Sequence, residues 1–161
     1  MTKIVEMDGY EIHHPVQKLQ SKVTTKGGLS LAEIEKRMAK KMSALTEDFL
    51  SSIPPMIDAI EKSLGQLETG AGDETAQADL FRHGHDLKGL GGSFDYPIMG
   101  TIGAGICGLT HKEIETASLN LPLIRVHLDL LSYVTANRIK NDSDPKAEPI
   151  LSALAAAKAA I

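Results

Sequence analysis

Apolar residues recur along this chain at the spacing of one helix face, in one segment after another. Between Ser30 and Gly70 the stripe runs Ile34, Met38, Met42, Leu45 and Phe49, then Met56, Ile57, Ile60, Leu64 and Leu67. A period near 3.6 residues puts such positions on one side of an α-helix. The same spacing returns in Ile98, Ile102, Ile106 and Leu109, and again in Ile124, Leu128, Leu131 and Val134/Thr135. No stretch has a convincing β alternation, and no internal repeat is visible. The pattern predicts an all-α chain whose helices have bundle length and are joined by short turns.

Punctuation residues divide the chain. Residues 1–28 are polar, hold no sustained period and end in Gly27-Gly28, which predicts an extended N-terminal arm. Within it, Ile12 to Val16 and Val23 are able to dock on the domain. Ser30 and Glu33 form a capping box, and Leu29 with Ile34 is spaced as a hydrophobic staple. Pro54-Pro55 is expected to break or kink the first helix near Ile53, because the rings remove donors and clash with the preceding turn. Gly70-Ala71-Gly72 ends it, and Asp73 is a good N-cap for a helix over roughly 74–95. Further helices are expected at about 98–116 and 121–140, so the helical domain spans 29–141. After the turn Asn141-Asp142-Ser143-Asp144-Pro145, a Pro149 start opens an Ala-rich helix over Ile150–Ala160, inside a C-terminal segment 145–161.

Composition excludes several classes. Of 161 residues, 42 % are apolar but only 4 % aromatic, with no Trp, so a core must be built from Leu, Ile, Ala and Met. The net charge of −4 disfavours a general nucleic-acid binder. The longest apolar run, Pro97 to Leu109, is too short and too rich in glycine for a membrane span. The start MTKIVEMDGYEIHH has no apolar signal-peptide core, and Cys107 as the single cysteine permits no internal disulfide. These features fit a cytoplasmic protein, with Cys107 a buried inert thiol.

The helix over 74–95 carries HDLKGLGGSFDYP at residues 85–97. On a helical wheel, Leu80, Gly84, Leu87, Gly91 and Phe94 fall within roughly 40° of one direction, the core face. Phe81, His85, Lys88, Gly89 and Gly92 cluster between about 80° and 180° from it. His85 therefore points away from the core, with Lys88 and Gly89 beside it and Gly92 one turn on. The glycines strip the surface next to the imidazole, and Lys88 supplies a mobile cation suited to an anion. Unprotonated imidazole is a nucleophile available near neutral pH, so this grouping suits transient phosphorylation of His85. Arg82 lies near 200° at the edge of the same face, and Phe81 is placed to form an apolar rim for a partner.

Other histidines give weaker patterns. His83 and His85 stand about 200° apart on a helix and cannot share a metal, and His13-His14 has no partnered cluster. No metal is expected. His111 and His127 read as helix-surface or satisfied core histidines. Gly100, Gly103, Gly105 and Gly108 follow no strand and lack the P-loop lysine, so they read as close helix packing near His85 rather than a nucleotide loop.

His85-x-Leu87-Lys88-Gly89 resembles the H-x-L-K-G motif of histidine phosphotransfer (HPt) domains from bacterial two-component phosphorelays. The longer string GHDLKGLGGSFDYP strengthens the likeness, and helix count and spacing match over roughly residues 30–140. The resemblance implies an antiparallel four-helix bundle, with the extended arm and the additional C-terminal helix outside it. It implies that His85 is the phosphoacceptor, that Lys88 balances the phosphoryl charge, and that Gly89, with Gly92, keeps access open. Phe81 and Arg82 would contact partners. Those partners would be receiver domains of response regulators and a hybrid or sensor histidine kinase, with Mg²⁺ held by the receiver and no cofactor on this chain. Such a protein is a monomeric phosphocarrier rather than a true enzyme, without autokinase activity from ATP. Many members have Ala where this chain has Gly84, and Gly near the position of Asp95.

Overall fold

Capping chemistry fixes where the helices start. In the computed structural model, which describes residues 3–14 and 27–159, the Ser30 backbone N–H donates to Glu33 Oε2 at 2.8 Å and the Glu33 N–H donates to Ser30 Oγ at 3.3 Å. This reciprocal pair opens helix α1, Leu31–Glu68. The Ser30 hydrogen bonds hold the Glu33 carboxyl below its ordinary pKa. Leu29 and Ile34, expected as a staple, both stay largely exposed. Asp73 caps α2, Glu74–Ser93, by accepting from the N–H groups of Thr75 and Ala76. Pro97 opens α3, Pro97–Leu109, and the Asn120 side chain caps α4, Leu121–Asn137. The last helix, α5, is Glu148–Ala159.

The chain divides into two units, residues 1–39 and 40–161. In the first, part of the expected arm is an antiparallel hairpin, β1 Lys3–Met7 and β2 Tyr10–His14. Asp8-Gly9 makes its turn, with Gly9 at φ +88°. Alternation is short and its outward residues are mixed, which hid the strands from a reading by period. Of the expected docking segment, Ile12 and His13 are exposed and His14 ends β2, while Pro15, Val16 and Val23 lie outside the described residues.

Of the break or kink expected at Pro54-Pro55, there is no break: the helix runs through both. Ile53, Ile60 and Leu64 flank the prolines with no exposed surface. Burying each such side chain contributes about 1.5–3 kcal/mol, so the three together are comparable to the roughly 3 kcal/mol that each of the two interior prolines costs. The stripe nevertheless divides. Phe49, Ile60, Leu64 and Leu67 are buried and Met56 and Ile57 partly so, whereas Met38, Met42 and Leu45 remain 60 %, 44 % and 48 % exposed.

In the second unit a single core joins α1 to α5. Ile53, Leu64, Leu80, Ile106, Leu128 and Leu131 lie at its centre, and Ile150 and Leu154 bring in the C-terminal helix. Phe49 of α1 stacks on Phe94 just past α2, with ring centroids 4.8 Å apart. Arg125 of α4 pairs with Glu61 and Glu68 of α1, and Arg138 with Glu47. The Arg138–Glu47 pair is exposed and contributes little to stability.

Helices α2 and α3 form an especially close pair, and glycine makes it possible. A Cβ on Gly84 would sit 2.9 Å from Ile106 Cγ2, and one on Gly103 would sit 2.6 Å from Gly84 O. At Gly91 it would meet Gly100 N at 2.6 Å. Between the two helices the chain reverses at Asp95, whose φ is +67°. The Tyr96 N–H then donates back to Gly91 O at 2.8 Å. Helix α3 is shorter than the expected 98–116. After Leu109, carbonyls of the following loop are captured from α2 by Gln77, whose amide donates to His111 O at 3.1 Å and Ile114 O at 2.9 Å. The chain resumes only as a 3-10 turn at Thr116–Ser118.

Candidate functional site

The wheel orientation of α2 holds. Leu80, Gly84, Leu87 and Gly91 are buried, while His85, Lys88, Gly89 and Gly92 are exposed. Helical side chains lean toward the N-terminus, so a residue four positions after His85 would cover the imidazole's own turn. That residue is Gly89. A Cβ on Gly89 or on Gly92 would meet nothing within 4 Å. The approach to His85 from the C-terminal side is therefore open. Lys88 stands one turn from His85 on the same surface and joins no ion pair among the described residues.

On the N-terminal side the imidazole is walled. The Phe81 ring is offset-stacked on it, with centroids 6.2 Å apart and planes 27° from parallel. Phe81 is half-buried, as its wheel position implies, and its carbonyl accepts a hydrogen bond from Cys107 Sγ at 3.6 Å. Cys107 is buried, and that burial raises its thiol pKa, which keeps it un-ionised and a poor nucleophile.

Arg82 is exposed but occupied: it pairs with Asp79 at 3.0 Å and reaches His83 Nε2 at 3.3 Å. His83 lies apart from His85. Burial first, and the Arg82 charge second, lower its pKa, and its buried Nδ1 has no hydrogen-bond partner. No cluster of histidine, cysteine or carboxylates able to hold a metal exists among the described residues. His127 is a satisfied core histidine, with Nδ1 against Leu123 O at 2.8 Å. Its ring fills the space a side chain on Gly105 would need. Of the four glycines of α3, Gly103 and Gly105 have no room for a side chain, a Cβ on Gly100 would make ordinary contact with Lys88 O at 3.5 Å, and Gly108 faces open space.

Gln77 is not singled out by sequence, and His111 reads there only as a helix-surface or satisfied core histidine. Gln77 is a buried amide whose partners lie 33 to 39 positions away, so nothing local marks it. His111 sits after α3 rather than on a helix, and its ring meets Phe81 edge-on at 5.8 Å. No helix of the described residues is long and apolar enough to cross a membrane. No family model, curated protein or solved structure matches the chain.

Proposed function

We propose that this protein is a histidine phosphotransfer protein that carries a phosphoryl group on His85 between receiver-domain aspartates. The observation that carries the reading is the asymmetric setting of His85: exposed, backed by Phe81, open toward Gly89 and Gly92, with Lys88 alongside. A nucleophile for phosphoryl transfer needs in-line access and charge balance rather than a large pocket. A nitrogen of the imidazole attacks phosphorus, the N–P bond forms, and the acyl phosphate P–O bond breaks to release the donor's aspartate carboxylate. The ring proton goes to solvent. In the onward step a second aspartate attacks, the N–P bond breaks and the imidazole regains its proton. The Lys88 ammonium, one turn along the same helix face, offsets the phosphoryl charge.

The resemblance at His85-x-Leu87-Lys88-Gly89 supports the same reading. Asp95, at φ +67°, departs from it, since many HPt domains have glycine near that position. On this proposal α1 to α4 form the antiparallel four-helix bundle. The working form is a cytoplasmic monomer, the partners are receiver domains and a hybrid or sensor kinase, and Mg²⁺ sits on the receiver. The test mixes the chain with a receiver carrying a labelled aspartyl phosphate. Acid-labile, base-stable label on the wild type and none on His85→Gln is expected. Equal labelling of the two would refute phosphotransfer and leave a helical adaptor.

A further inference from the structure

Gln77, Phe81, His85 and Gly89 stand four residues apart and form a single row along α2. The row begins at a buried anchor. Gln77 Nε2 donates to Thr110 O at 3.4 Å, to His111 O at 3.1 Å and to Ile114 O at 2.9 Å. The Thr116 hydroxyl donates to Gln77 Oε1 at 2.6 Å. One side chain thus ties the whole 110–116 loop to α2.

That tie sets His111. With its own carbonyl held by Gln77, its ring meets the Phe81 ring edge-on, planes 73° apart. The edge-to-face arrangement is attractive and fixes the ring's attitude. Phe81 is held a second time through its carbonyl, by the Cys107 thiol of α3. Its other contact is the His85 imidazole. A chain of packed groups therefore runs from the buried Gln77 amide through His111 and Phe81 to an exposed imidazole, and it ends at Gly89, where nothing crowds the far side.

We propose that Phe81 and His111, set by Gln77, are positioning residues: they hold the His85 imidazole so that its reactive nitrogen faces the opening above Gly89. An exposed histidine otherwise samples several rotamers, and only some of them put a nitrogen in line with an incoming phosphorus. The inference rests on the reading of His85 as the phosphoacceptor.

Phosphoramidate, a small donor whose N–P bond breaks to release ammonia, supplies the phosphoryl group without any docking partner. The rate of phosphohistidine formation on the intact chain is measured together with the ring-proton resonances of His85. Phe81→Leu and His111→Ala are expected to shift those resonances and to slow labelling by about tenfold for Phe81→Leu and less for His111→Ala. Phe81→Tyr and His111→Phe, which keep an aromatic ring at each place, restore both readouts. Gln77→Leu is expected to resemble His111→Ala if the chain folds, and the other variants decide the matter if it does not. Normal labelling and unmoved resonances in Phe81→Leu and His111→Ala would overturn the positioning role and leave His85 as phosphoacceptor. An unlabelled wild-type chain would overturn the phosphoacceptor reading itself, and the positioning role with it.

Discussion

The two faces of α2 use the same residue for opposite ends. On the inner face, Gly84 and Gly91 are buried, and a methyl group at either would strike α3 or the turn leading into it. On the outer face, Gly89 and Gly92 are exposed, and a methyl group would meet nothing. Inner glycines let two helices touch, so their absence of a side chain is a packing requirement. Outer glycines satisfy no packing requirement at all, and each weakens the helix by up to about 1 kcal/mol relative to alanine. Local stability has been given up on one face only, and that face carries His85.

Substitution breaks the comparison from either side. Gly91→Leu has the largest expected effect. Its side chain has no room against Gly100 N and Tyr96 O. It should cost about 3 kcal/mol, at the upper end of what overpacked sites cost, with a clear fall in the urea midpoint. Gly89→Leu should leave the fold intact by circular dichroism but slow receiver-dependent transfer by about tenfold, because its side chain leans back over His85. Gly89→Ala sharpens the contrast, since it should raise stability by about 0.5–1 kcal/mol with a smaller effect on transfer. If Gly89→Leu transfers at the wild-type rate, the open face has no bearing on access.

The smallest effect concerns the start of the same helix. Asp73 accepts hydrogen bonds from the N–H groups of Thr75 and Ala76, which hold its carboxyl below the ordinary aspartate pKa. A carboxyl lowered in the folded state adds stability that is present above its unfolded pKa and is lost as pH falls through the folded value. Asp73→Asn keeps a capping oxygen that does not titrate. The variant should therefore lose less stability than wild type between neutral and acid pH, read as the shift in denaturation midpoint.

The outward cluster of His85, Lys88, Gly89 and Gly92 was legible because it depends only on helix geometry once α2 is recognised. Helix starts were legible for the same local reason: Ser30 with Glu33, Asp73, Pro97 and Pro149 each act within one turn. What escaped depends on distance. The continuity of α1 through Pro54-Pro55 follows from burial of Ile53, Ile60 and Leu64. The early end of α3 goes with Gln77, which sits in the first turn of α2, 33 positions before Thr110. The meeting of His111 with Phe81 follows from that same hydrogen-bonded loop. The hairpin of residues 3–14 is the opposite case, since Asp8-Gly9 between short apolar runs is a local turn signal that helical periodicity passes over.

The most direct test of phosphoryl transfer through an imidazole on a cleared helix face is to locate the phosphate. The chain has six histidines. After reaction with a phosphorylated receiver, fragment mass spectrometry under neutral or basic conditions should find phosphohistidine at His85 alone. Phosphate on any other histidine, or none on His85, would contradict the account.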